Sequence, residues 1–188
     1  MKTNVKFFII VFLCIGKFVA ADDVPIYEYY VNEITRAFVK EAKKEFGLLC
    51  YGSGGSMPHD VVEIELDFEC YRHVTIDEAR ELEVKVTEML RQRINEHEKI
   101  RPYLRDYPCK SRTAHVMISF RKARGGRQTE GVALIFPARN KLFYNAVDPV
   151  TNKLCDLFEE PYEEALKIVH SQKKLFRKAF VGSLFIDG

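Results

Sequence analysis

No apolar stretch in this chain is long enough to cross a bilayer. The run Phe7 to Ile15 has nine residues, about half of what a spanning helix needs. Tryptophan is absent and the composition (47% hydrophobic, 30% charged) is that of an ordinary globular domain. There is no internal repeat, no low-complexity tract and no linker, which excludes a solenoid or a tandem array. There is no Gly-Lys-Ser/Thr phosphate loop and no serine with glycines at both second neighbours, which removes the P-loop and the nucleophile elbow. No His, Cys, Asp or Glu spacing matches a metal-ligand pattern. Nothing in the residues calls for a metal or a cofactor.

The short apolar run has a particular setting. Lys2 and Lys6 precede it, Gly16 and Lys17 close it off, and Val19-Ala20-Ala21 offers small residues to a peptidase. This is the layout of a cleavable export signal, residues 1–21, cut after Ala21. Leu13 before Cys14 is too large for a lipoprotein signal. The expected product, residues 22–188, is one domain with one core. It keeps no transmembrane segment and works as a secreted or periplasmic protein. The signal carries three of the 29 Lys plus Arg and none of the 27 Asp plus Glu. The remaining 26 bases against 27 acids leave a net charge near −1, which argues against nucleic acid as a partner.

The body reads as α+β. Ile26, Tyr30, Ile34, Phe38 and Ala42 recur at helical spacing over 25–46, with Gly47 as a stop. Residues 51–58, rich in Gly and Ser, read as a loop. Over 61–71, Val62, Ile64, Leu66, Phe68 and Cys70 alternate with Glu63, Glu65, Asp67 and Glu69, which marks a half-buried strand with an acidic outer face. Thr75-Ile76-Asp77-Glu78 is a capping box opening a helix to about Lys99. Three strands come next, at 114–121, 132–136 and 142–147, close enough to form an antiparallel meander. Pro161 fits the first turn of a last helix, whose acids lie early and bases late. Residues 181–186 suit a short edge strand or simple packing. The order αβαβββα predicts a two-layer sandwich: a four-stranded mixed sheet with helices on one face and a parallel crossover through the long helix.

Four cysteines remain in an exported chain: Cys50, Cys70, Cys109 and Cys155. An even number outside the cytoplasm suggests two disulfides. Three pairings are possible. The four-stranded topology favours Cys50–Cys109, then Cys70–Cys155.

The candidate binding surface is the Gly-Ser loop (Gly52, Ser53, Gly54, Gly55, Ser56) together with Glu65, Asp67, His115, Ser119 and Arg121 on the polar sheet face. The loop amides suit an anion, and the acidic row suits a docking partner. Solvated salt bridges are the plain alternative. His115, Ser119 and a carboxylate on adjacent strands would suit a small hydrolase if they met in a pocket. His59, Asp60 and Glu63 fit no ligand spacing. The turn from Arg121 to Arg127 is the densest basic spot. The last helix, with Leu175, Phe176 and Phe180 among bases, suits either core packing or a membrane surface.

Residues 49–61 (LCYGSGGSMPHDV), 78–84 (EARELEV), 97–105 (HEKIRPYLR) and 118–122 (ISFRK) resemble a family of small exported proteins of chlamydia-related and other intracellular bacteria. The resemblance covers residues 45–125. It implies export and a role for the Gly-Ser segment and the 100–104 turn, and it brings no catalytic residue. The expectation is a binding domain without catalysis, acting on an unknown protein or envelope partner.

Overall fold

The computed structural model describes residues 24–110 and 112–183, with side chains to 173. The export signal at 1–21, the side chains of Leu175, Phe176 and Phe180, and residues 184–186 of the expected edge strand lie outside the described residues. The elements are α1 (Ile26–Phe46), β1 (Leu49–Ser56), β2 (Glu63–Cys70), α2 (Ile76–Glu96), a 3-10 turn (Glu98–Tyr103), β3 (Ala114–Phe120), β4 (Leu134–Ala138), β5 (Lys141–Val147), β6 (Leu154–Pro161) and α3 (Tyr162–Ser183). The class is α+β. The sheet has six strands in chain order, parallel at β2–β3 and antiparallel elsewhere.

Helix starts and stops obey local chemistry. Gly47 ends α1 at φ 71°, and its amide bonds the Lys43 carbonyl at 3.1 Å. Glycine holds this left-handed cap without steric cost. Thr75 opens α2: its hydroxyl accepts from the Glu78 amide at 3.3 Å, and the Glu78 carboxylate accepts from the Thr75 amide at 2.8 Å. α2 ends at Glu96 rather than Lys99, and the chain tightens into the 3-10 turn that carries Pro102.

The four-stranded sheet is corrected to six. Residues 49–56 are a strand, not a loop. Their Gly and Ser content disfavours a strand locally, and the whole ladder to β2 supplies what propensity lacks. β6 was hidden by Pro161 and by Glu159 and Glu160, which suit a helix start. Pro161 is instead the last strand residue, tolerated because β6 is a sheet edge, and α3 begins one residue later. Residues 181–183 continue α3 rather than forming an edge strand.

All three helices cover one face. Ile64, Leu66 and Phe68 of β2, Val116, Ile118 and Phe120 of β3, and Leu142 and Tyr144 of β5 are buried beneath them with Phe38, Val86, Leu90 and Val169. The Phe38 and Phe68 rings sit edge to face at 6.2 Å. α2 touches α1 on one side and α3 on the other. Arg93 clamps Glu41 of α1 at 2.6 and 2.9 Å. The Tyr162 hydroxyl of α3 donates to Glu88 at 2.9 Å.

The expected disulfides do not fit this sheet. β1 runs antiparallel to β2 and sets Cys50 opposite Phe68, while Cys109 precedes the Ala114 end of β3, which pairs with Ile64. Those two positions are four residues apart along the strand, about 13 Å. β3, β4 and β5 lie between Cys70 and Cys155, four strand spacings or about 19 Å. A bridge needs Cα atoms within about 7 Å. All four are free thiols. Burial pushes the Cys109 thiol up to about 11, which leaves it unreactive at neutral pH.

Candidate functional site

The uncovered sheet face is built from strand alternation. Glu63, Glu65, Asp67 and Glu69 take the half-exposed positions of β2, and His115, Met117 and Ser119 those of β3. Register sets Glu65 beside His115, Asp67 beside Met117 and Glu69 beside Ser119. On the other flank, β1 offers Gly54 to Glu65, Gly52 to Asp67 and Ser56 to Glu63. Asp67 and Glu65 are therefore bordered on β1 by Gly52 and Gly54, which carry no side chain.

The four acids are treated unequally. Glu69 is bonded by Arg121 at 2.8 Å and by the Tyr71 hydroxyl at 2.8 Å. Glu63 lies 3.4 Å from His115 Nδ1. Among the described residues no cationic nitrogen lies within 4.0 Å of Glu65 or Asp67. Oδ1 of Asp67 is buried without a hydrogen-bond partner among those residues. Burial, and then the neighbouring Glu65 charge, raise the Asp67 carboxyl above its ordinary value. Its side chain leans over β1, because a Cβ added to Gly52 would stand 2.6 Å from Asp67 Oδ2. Only glycine leaves room for that posture.

The hydrolase constellation is not assembled. His115 and Ser119 are four residues apart on one straight strand, about 13 Å. His115 faces Glu63, and Ser119 Oγ has the Tyr51 hydroxyl at 3.5 Å. Neither a shared pocket nor a mutual hydrogen bond brings nucleophile, base and carboxylate together. The Gly-Ser segment is not an anion-cradling loop, since it is laddered to β2 as a strand. Asp60 is occupied by Arg105 at 2.8 and 3.0 Å. Among the described residues no three His, Cys, Asp or Glu side chains converge as metal ligands, and no helix is long and apolar enough to cross a membrane. In α3, Tyr162, Ala165 and Val169 pack into the core.

One polar cluster lies outside every sequence-based expectation. Arg80 is buried, and its Nε donates to Glu160 at 2.7 Å while Nη1 reaches Asp77. The Tyr144 hydroxyl donates to the same Glu160 oxygen. Nearby, the fully buried Glu83 accepts from Thr87 at 3.1 Å and leaves Oε2 without a partner among the described residues. Burial pushes the Glu83 carboxyl well up and also raises the Tyr144 and Tyr162 phenols. The sequence did carry a signal: Arg80, Glu83 and Thr87 share i, i+3, i+7 spacing beside the apolar stripe of α2. A central helix flanked on both sides buries both stripes. Arg80, Glu83, Tyr144 and Glu160 are buried while Asp77 is exposed at the rim, and the cluster holds β5, β6 and α2 together.

Clefts also open elsewhere among the described residues, one of about 310 Å³ being lined by Phe46, Arg72, His73 and Glu78 among others. One of about 900 Å³ opens between α2 and α3 and is lined by Met89, Gln92, Asn95, Val169 and His170 among others. One of about 270 Å³ is walled by Glu63, His115, Arg105, Arg112 and Arg139. Arg105 and Arg112 are already neutralised by Asp60 and Asp106.

Neither a family model, nor a curated protein, nor a solved structure matches the chain.

Proposed function

We propose that this protein is exported, is cut after Ala21 and serves as a binding domain without chemistry of its own. Its contact surface is the uncovered sheet face at the β1–β2 end. Glu65 and Asp67 carry the reading: two carboxylates on an open face, without counterions among the described residues, each beside a glycine of β1. Isolated surface acids cost little. Stacking like charges on one strand, with one of them partly desolvated, opposes folding slightly. A partner that supplies the missing positive charge removes that opposition on binding.

The test is recovery of partners from native extract by the chain from Asp22. The reading expects a partner held by this chain and lost with Glu65→Gln plus Asp67→Asn. The same partner should be retained by Glu81→Gln plus Lys85→Gln, which neutralises an exposed ion pair on α2. Equal recovery by all three proteins contradicts the reading. Residue Asp22 as the native N-terminus, read by mass spectrometry, tests the export step.

A further inference from the structure

The free edge of β1 has its own physical consequence. A strand at a sheet edge turns one row of amides and carbonyls away from its ladder. Apart from Ser56, whose carbonyl accepts from the Val62 amide, no residue of β1 makes a backbone hydrogen bond to the described residues outside its pairing with β2. The Gly52 carbonyl has one further contact, from the Cys50 thiol at 3.2 Å. Leu49, Tyr51 and residues 53–56 are exposed. Natural edges are blunted by Lys, Pro, inward-pointing charge or bulges; β1 has an irregularity of register between Cys50 and Gly52, but from Gly52 to Ser56 it runs in register and carries neither Lys, Pro nor charge.

We infer that this edge takes up an extended, basic segment of a partner protein as a seventh strand. The inference rests on the binding reading above and names the partner's chemistry. Strand pairing would supply main-chain hydrogen bonds, and side chains at alternate positions would supply selectivity. The selectivity element is the pair Gly52 and Gly54. A strand added beside β1 stands two spacings from β2, roughly 9.6 Å. Two of its side chains fall beside Gly52 and Gly54, where no β1 side chain intervenes. Lysine or arginine at those two places, separated by one residue, reaches across the glycines to Asp67 and Glu65. A shorter or acidic side chain does not bring charge to them. A second copy of this chain is a poor occupant: β1 is LCYGSGGS, so pairing β1 with β1 would bring no basic side chain to Glu65 or Asp67.

The probe is a synthetic nine-residue peptide of alternating lysine and threonine, added to the ¹⁵N-labelled chain from Asp22. Binding should move the amide signals of residues 49–56 and those of Glu65 and Asp67. A glutamate-for-lysine version should leave them unmoved. Glu65→Gln plus Asp67→Asn should weaken binding about tenfold. Gly54→Val walls off Glu65 without touching the edge backbone. An added Cβ there meets nothing closer than 3.7 Å, so the fold is expected to hold, and binding should weaken severalfold. Methylating alternate peptide amides on the pairing side should abolish binding, while methylating the other set should not. The inference is overturned if the acidic peptide binds as well, if the shifts fall outside β1 and β2, or if the chain dimerises through β1 in sedimentation. If the lysine peptide leaves β1 unmoved while the double charge variant still loses its extract partner, the strand-addition inference falls and the binding reading stands.

Discussion

The two edges of the sheet carry similar acids in opposite conditions. At β6, Asp156 accepts from Asn145 at 2.9 Å, Glu159 meets Lys141 at 2.6 Å, and Glu160 is held by Arg80 and Tyr144. Pro161 closes the strand. At the β1–β2 edge, Glu65 and Asp67 have no cation among the described residues, and the outer strand is LCYGSGGS, with neither charge nor proline. One edge has its acids answered and is tied to α2. The other is left with spare charge, and among the described residues both keep one backbone row unpaired. Acids alone therefore do not mark a site; what matters is whether the fold has answered them.

The largest effect should come from the β6 edge. Arg80→Ala leaves Glu160 buried with one partner fewer, and removing one member of a buried pair costs about 3–5 kcal/mol. Urea unfolding should show a midpoint shift of that size. A loss below about 1 kcal/mol, the level of an exposed pair, would mean that the β6 acids are no better held than the β2 acids. Glu83→Gln comes next. The folded chain raises the Glu83 carboxyl, so stability falls as pH climbs from the unfolded carboxylate value toward the raised one. The fall is about 1.4 kcal/mol for each pH unit in that window. Glutamine cannot ionise, so the variant's urea midpoint should stay flatter between about pH 5 and 8 and exceed the parent's at the upper end. A parallel pH profile would show that Glu83 is not the titrating group.

The glycine edge repeats the contrast at smaller scale. Gly52→Ala drives a Cβ into Asp67 and should cost about 1–3 kcal/mol. Gly54→Ala meets only ordinary contact and should be neutral or stabilise by up to about 1 kcal/mol. Thermal melts of the two variants should separate by several degrees, and coinciding melts would refute the leaning Asp67. The smallest effect is that of Asp67→Asn. Burial and Glu65 raise the Asp67 carboxyl, so the parent is penalised only at pH values above the unfolded range. The variant should gain a few tenths of a kcal/mol at about pH 7 and nothing at about pH 3. An equal gain at both would exclude charge as the cause.

How much could be read in advance depended on whether the cause was local. The caps at Gly47 and Thr75 were legible, because capping is decided within four residues. The acidic alternation of β2 and the antiparallel meander were legible for the same reason. β1 was not: Gly52, Gly54 and Gly55 say loop, and only the neighbouring ladder makes them strand. β6 was masked by Pro161 and its acids. The cysteine pairing failed with the strand count, since one missed strand reversed the end of the sheet at which Cys50 lies. Of the candidate site, the acidic row and the Gly-Ser segment do lie side by side, as strands. Which of the acids lack a partner was invisible, because register sets His115 beside Glu65 while the side chains reach diagonally, His115 to Glu63 and Arg121 to Glu69. Arg80 and Glu83 were passed over because nothing local says that both flanks of α2 are covered.

Amide hydrogen exchange, resolved by residue and measured with and without the lysine–threonine peptide, compares the two edges in one experiment. New protection confined to Leu49–Ser56, with Leu154–Pro161 unchanged, is the result expected of an open edge beside unanswered charge. Protection at Leu154–Pro161, or spread evenly over both edges, would contradict it.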